Sequence, residues 1–189
     1  MDELGNLDLY VALIHHPVVN KKGDVICSAI TNLDLHDIAR AARTYGVKGY
    51  YVVNPLEDQK VLAHRIVRHW TEGDGGRVNP ARKEAFSMIR LTDSLEETLE
   101  SIRNETQSDV KIIATSARES ETSVSYSSMR EMLGNVKCAL LLFGTAWGLS
   151  SSVLEQAHWM LKPVSGPGSY NHLSVRSAVT VVLDRLLGQ

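Results

Sequence analysis

The sequence predicts a single α/β domain over residues 1–189, a mainly parallel sheet with helices on both faces. Three observations carry this expectation. Apolar runs of strand length recur at 7–14, 50–53, 110–115 and 137–143, the pattern of strands buried on both faces. Helical periodicity fills intervals between them, so strand, helix and strand follow one another with short connections. The composition, 43% hydrophobic and 22% charged, supplies enough apolar residues for such a core without any low-complexity linker.

Residues 7–14 read as a buried strand, and Pro17, after His15 and His16, stops regular pairing. Residues 20–24 form a turn by composition, and 25–31 are extended. The helix over 32–46 places Leu35, Ile38, Ala39 and Ala42 on one face; Asp34 is expected to cap its start and Gly46 to stop it. Residues 50–53 form a second core strand, ended by Asn54 and Pro55, and a charged helix follows over 56–70. The glycine-rich stretch 72–76 predicts a flexible loop, and Asn79 and Pro80 restart order before a short helix over 81–88. Ser94 and Glu97 have capping-box spacing, and Leu95, Leu99 and Ile102 give the next helix its apolar stripe. A strand over 110–115, a short helix over 126–133, the strand 137–143 and a short strand over 159–164 lead to a final helix over 173–187. That last helix carries Val175, Ala178, Val179, Val181, Val182, Leu183, Leu186 and Leu187 on more than one face. It calls for burial by core, by a second copy of the chain, or by both.

Composition narrows the function classes. A formal net charge of -2 gives no global signature of a nucleic-acid binder, so any such role rests on a local patch. The best candidate lies in residues 60–90, where Lys60, Arg65, Arg68, Arg77, Arg82, Lys83 and Arg90 outnumber Glu72, Asp74 and Glu84. A solvated helix face is the bland reading of the same charges. Cys27 and Cys138 form no ligand or CxxC pattern and read as reduced thiols. The acidic start lacks a signal peptide's basic and apolar regions, and no run is long enough to span a membrane, so a cytoplasmic location is expected. There is no phosphate-binding P-loop, no dinucleotide fingerprint after the first strand and no nucleophile elbow. The histidines show no metal spacing, and no metal is expected.

The most informative stretch is 140–150, a buried strand breaking into Gly144 and Gly148 around Thr145, Ala146 and Trp147. Open α/β sheets bind ligands at such strand ends, and a glycine-flanked backbone can read a nucleotide-like edge without a charged side chain. The alternative is a tight turn with a buried Trp147. Residues 171–176, a polar turn opening the last helix, can return to the same place.

Thr115–Ser116–Ala117–Arg118, the segment from Phe143 to Ser150, and the run from Tyr170 to Ala178 together resemble the SPOUT superfamily of knotted S-adenosylmethionine-dependent RNA methyltransferases. The chain looks most like a small stand-alone bacterial family related to the tRNA guanine-N1 methyltransferases. The likeness extends to residues 29–40 and so covers most of the chain. It implies a deep C-terminal trefoil knot, a homodimer, an RNA substrate (tRNA or rRNA), and S-adenosylmethionine held among three loops. Carried onto this sequence, the cofactor loops comprise Thr115, Ser116 and Ala117; Phe143, Gly144, Thr145, Gly148 and Leu149; and Pro163, Asn171, His172, Leu173 and Ser174. Arg40 stands six residues before Gly46, the place of the motif-1 arginine in the related ribose methyltransferases, and is the leading catalytic residue.

Asp34, His36 and Asp37 can each supply a general base, with Asp37 taken beside Arg40; helix capping and helix-dipole stabilisation are the structural alternatives for the two acids. His16, Asn32, His36, Arg43 and Arg176 are assigned to the substrate side, although Arg43 also reads as solvent-facing and Arg176 as a dimer-face residue. Asn171 can cap the last helix, with Ser174 at capping distance. The glutamate that follows the motif-2 glycine in the ribose-methylating branch is replaced by Thr145–Ala146, and the guanine-N1 branch's acidic Gly-rich segment is absent. Two rival functions stand beside the methyltransferase: a non-catalytic RNA- or cofactor-binding module of the same fold, and a protein methyltransferase.

Overall fold

The computed structural model describes residues 6–188. The chain runs β1 (Asp8–Ile14), β2 (Val18–Val19), β3 (Val25–Ile26), α1 (Asn32–Thr44), β4 (Gly49–Val53), α2 (Glu57–Thr71), α3 (Asp74–Val78), α4 (Pro80–Phe86) and β5 (Ile89–Thr92). It continues through α5 (Leu95–Thr106), β6 (Val110–Ala114), β7 (Ser123–Val124), α6 (Tyr126–Leu133), β8 (Cys138–Gly144), α7 (Ser151–Leu154), β9 (Trp159–Leu161) and α8 (Val175–Leu187). Seven strands form one sheet in the order β5-β4-β1-β8-β6-β9-β7, every pairing parallel, while β2 and β3 make a small antiparallel ribbon.

The continuous apolar runs are explained by two-sided cover. Along β1, Leu9, Val11 and Leu13 enter one core with α1, α4, α6 and α8, whereas Tyr10, Ala12 and Ile14 enter a second with α5 and α7. Both sets are buried, so no polar alternation remains. Leu140, Leu141 and Leu142 of β8 are fully buried, each such side chain contributing about 1.5–3 kcal/mol.

Several local expectations change. Thr31, not Asp34, caps α1: its hydroxyl accepts from the Asp34 amide at 3.2 Å and donates to Asp34 Oδ2 at 2.7 Å. Asp34 is instead buried in the first turn. Residues 74–78 form α3 rather than a loop, because glycine permits close packing: a Cβ on Gly76 would lie 2.2 Å from the Trp70 carbonyl oxygen. The sequence pattern also missed β5, whose Arg90 breaks the apolar run; that side chain pairs with Glu105 and donates to the Tyr51 hydroxyl at 2.8 Å. The last helix begins at Val175, and its Val179, Val182, Leu183 and Leu186 are buried by its own chain against the sheet, α1 and α6. Val175, Ala178, Val181 and Leu187, the rest of its apolar surface, are only half-buried.

Beyond the ends of β1 and β4 lies a buried polar layer. His15 and Asn54 are both fully buried. His15 Nδ1 lies 2.9 Å from Ser28 Oγ, Asn54 Nδ2 donates to the Ser28 carbonyl at 3.1 Å, and Asn54 Oδ1 accepts from the Leu56 amide at 2.9 Å. These bonds satisfy chain that leaves the sheet without ladder partners. Burial pushes the His15 imidazole from 6.5 down to about 4, only partly offset by the Asp34 carboxylate.

Two predictions follow from this architecture. Thr31→Val removes both the cap and a bond to a buried carboxylate, and should cost about 1–2 kcal/mol, read as a lower urea midpoint at unchanged slope. The unfolded chain protonates His15 near pH 6.5, whereas the folded chain resists until about pH 4. This group's stabilisation is thus complete above pH 6.5 and is lost as pH falls towards 4. From pH 7 to 5 the wild type should lose about 2 kcal/mol more than His15→Gln in urea unfolding; parallel pH slopes would refute the assignment.

Candidate active site

The strand order puts the C-terminal ends of β8, β6 and β9 side by side, so the three segments that follow them emerge together. Hydrogen bonds join them. The Thr115 amide and hydroxyl both donate to the Leu142 carbonyl, at 3.1 and 2.9 Å, which ties the first segment to the end of β8, just before the second begins. Asn171 Nδ2 donates to the Ala117 carbonyl at 2.9 Å, tying the third to the first. Asn171 is therefore a loop clamp rather than a helix cap; Ser174 caps α8, accepting from the Ser177 amide at 3.4 Å.

The segment after β8 turns back sharply. A Cβ on Gly144 would lie 2.7 Å from the Leu149 amide nitrogen, so only glycine lets the chain fold onto itself there. Ala146 and Gly148 have positive φ, 52° and 114°, and the Gly148 amide donates to the Thr145 carbonyl at 2.9 Å. The β2 segment braces the outside: the Trp147 amide donates to the Val19 carbonyl, and the Val19 amide to the Gly148 carbonyl, each at 3.0 Å. Thr145 turns inward, donating to the Ile14 carbonyl at 3.1 Å and meeting the Ser28 hydroxyl. Phe143 and Leu149 are buried in the two cores. What remains open is backbone, together with Trp147, which is exposed rather than buried, and Tyr170, His172 and Leu173 on the third segment. A side chain built at Gly148 would meet nothing within 4 Å, so the turn leaves free space beside it. An unobstructed backbone cradle of this kind suits a nucleoside-like ligand. Ser116 spends its hydroxyl on the Arg118 amide at 2.9 Å, and Pro163 is half-buried at the start of the third segment.

On α1 the structure assembles a group that sequence spacing did not connect. Arg176, one residue into α8, lies 3.5 Å from Asp34 Oδ1 and 3.3 Å from Asp37 Oδ2. One guanidinium thus bridges the two carboxylates at the mouth of the third segment. Arg40 is exposed one turn further along α1, facing a cavity of about 550 Å³ that α4 also lines. Arg43 is committed to Glu84. His36 is half-buried with edge contacts to Trp70 and Phe86, and burial, then Arg82 and Arg40, holds its pKa below the usual histidine value. Asn32 is exposed at the start of α1, and His16, half-buried, precedes the cis bond to Pro17.

Sequence reasoning missed Ser28 and Asn54 altogether. Their signal was faint: Asn54 ends a wholly apolar strand, and Asn54–Pro55 reads first as a strand stop. Among the described residues, no group of His, Cys, Asp and Glu is arranged to hold a metal ion, and no helix is long and apolar enough to cross a membrane.

Comparison with known proteins bears on what this geometry serves. A family model described as SAM-dependent RNA methyltransferase matches residues 8–188. A tRNA (guanine-N(1)-)-methyltransferase of Oleidesulfovibrio alaskensis is 44% identical over 181 residues, 96% of this chain but 42% of the relative. The chain thus spans well under half of that curated relative. An uncharacterized protein of Aquifex aeolicus is 36% identical over 185 residues, 97% of this chain and 90% of that protein. Among solved structures, the TrmH/SpoU tRNA modifying enzyme of A. aeolicus superposes with TM-score 0.55 at 18% identity, covering 96% of this chain and 74% of that one. The SpoU methyltransferase AviRb of Streptomyces viridochromogenes, solved with AdoMet, gives 0.55 at 17% identity, covering 94% and 56%. These structural likenesses establish the fold as that of SpoU-type methylases, and the family match over residues 8–188 places the chain in the S-adenosylmethionine-dependent RNA methyltransferase family.

Proposed function

We propose that this chain transfers a methyl group from S-adenosylmethionine to RNA, with tRNA or rRNA as substrate. The observation that carries the reading is the convergence of the three loops, clamped through Thr115 and Asn171, on a chain whose family uses this cofactor. The open backbone of Gly144–Leu149, the space beside Gly148 and the segment ending at Ser174 fit a bent nucleoside. Bound there, S-adenosylmethionine supplies an already activated methyl electrophile.

The chain's own residues have the remaining work of orienting the acceptor and managing one proton. Arg40 and Asp37 are the proposed catalytic pair, Arg40 steering an RNA phosphate or the acceptor itself. Arg176 holds the Asp37 carboxylate from α8, so the start of the last helix sets where that acid points. His16, Asn32, His36, Arg43 and Arg176 would flank the RNA. A C-terminal trefoil knot, supported by the likeness to SpoU-type methylases, a homodimer and a cytoplasmic location complete the proposal. The guanine-N1 activity in the relative's name belongs to a protein more than twice the length of the matched region, so the acceptor is proposed here only as RNA.

The wild-type protein, incubated with methyl-labelled S-adenosylmethionine, total cellular RNA and total cellular protein, should label RNA. Cofactor binding without labelled RNA would make the chain a non-catalytic module, and label in protein would make it a protein methyltransferase. Gly148→Val places a branched side chain at φ 114° in the space assigned to the cofactor. It should abolish cofactor binding by calorimetry while far-UV circular dichroism is retained, and unchanged affinity would overturn the pocket.

A further inference from the structure

The cavity between α1 and α4 lies outside the cofactor loops, and its charge is not balanced. Arg40, Arg43, Arg82, Asn79 and Glu84 line it. Arg43 spends its guanidinium on Glu84, with Nε 2.8 Å from Oε1, so that pair forms a neutral rim. Arg40 and Arg82 make no ion pair among the described residues. Arg82 is also fixed: its guanidinium carbon sits 4.6 Å from the Trp70 ring centroid, and its Nε is buried without a hydrogen-bond partner. Trp70 is held in turn by His36 and Phe86, with centroids 5.3 and 6.0 Å away. Both arginines depress the His36 pKa, behind burial, which ties all three residues to one electrostatic field. His36 packs by its edge against Trp70, behind Arg82.

A guanidinium stacked on an indole has lost most of its rotamer freedom and keeps its planar fork of donors facing outward. That fixed cation and the exposed Arg40, neither paired with a carboxylate, match the doubly accepting oxygens of a phosphodiester. The cavity, about 550 Å³, has room for a phosphate with its flanking sugar. We infer that the α1–α4 notch is a backbone-phosphate anchor for RNA, with Arg82 on Trp70 as its fixed donor and Arg40 as its mobile one. The inference rests on the proposed RNA substrate and adds where the backbone is gripped. Arg40 lies six residues from Asp34 and three from Asp37, so the anchor sits ~9 Å along α1 from the first carboxylate and ~4.5 Å from the second.

The test is the salt dependence of unfractionated tRNA binding, by fluorescence anisotropy, for the full chain and three variants. Arg82→Gln and Arg40→Gln should each weaken binding several-fold and flatten the plot of log affinity against log salt by about 1. S-adenosylmethionine affinity by calorimetry should not change. Arg103→Gln, on the exposed surface of α5 across the sheet, should leave the slope as in wild type. Wild-type slopes in both notch variants would overturn the anchor while leaving the RNA reading intact. Failure of the wild type to bind tRNA at any salt would instead remove the RNA reading and the anchor together. Arg40→Gln keeps the test decisive should Arg82→Gln unfold, because Arg40 is exposed.

Discussion

The site depends first on a carboxylate buried at the start of α1. Asp34 is 6% exposed, and an acid that deep is tolerated only when its oxygens are compensated. Thr31 supplies one donor and Arg176 supplies the opposing charge. These partners lie at distant points of the chain, one at the entry to the first long helix and the other at the start of the last. The interaction therefore ties the start of α8 to α1, and with it the direction from which residues 163–174 approach the loops after β6 and β8. Asn171 then fastens that segment to Ala117. Losing one member of a partly buried pair leaves the other uncompensated, a heavier penalty than an exposed ion pair carries. Surface pairs such as Arg68–Glu72 have no comparable reach.

A second constraint works from below. The loop after β8 leaves its backbone open, yet the strand beneath it is buried on both faces. Gly144 resolves this by folding tightly onto Leu149, and Thr145 pins the turn to the end of β1. Under Thr145 lies the layer of half-buried Ser28 and fully buried His15 and Asn54, which supplies hydrogen bonds to chain leaving the neighbouring strands. The rigid element is thus polar and buried, while the residues left accessible, such as Trp147 and Tyr170, stand on loops. Preorganisation from a fixed second layer is what binding and positioning chemistry require.

The sequence made the sheet legible because burial on both faces leaves an unmistakable pattern: β1, β4, β6 and β8 all read as apolar runs. It also brought residues 115–117, 143–149 and 171–174 together, through the joint resemblance of those segments and not through any one of them. What it hid was fixed by tertiary partners. Asp34 satisfies the rule for a helix cap, yet Thr31 outcompetes it because Arg176 and burial have already claimed the carboxylate. Asn171 satisfies the same rule but meets Ala117 first. Glycine at 73, 75 and 76 reads as flexibility, although at Gly76 it is used for contact against Trp70. In each case a local propensity was overridden by a neighbour far away in sequence.

The near-neutral net charge, which seemed to argue against an RNA partner, is better understood as a cancellation across the sheet. On one side of it, α2 and α4 carry Lys60, Arg65, Arg68, Arg82 and Lys83 against Glu57, Asp58 and Glu84, while α5, on the other, carries Glu96, Glu97, Glu100 and Glu105 against Arg103. The two helical layers enter separate cores, so the sheet keeps these charges apart and gives the molecule an electrostatic direction. A polyanion approaching it meets attraction on the face of α1 and α4 and repulsion on the face of α5. Arg40 and Arg82 lie on the attracting side, and α1 joins that side to the Asp34 and Asp37 carboxylates beside Arg176. Orientation of this kind needs no excess of basic residues, only their segregation, and the fold supplies it by sending α5 across the opposite face from β5 to β6.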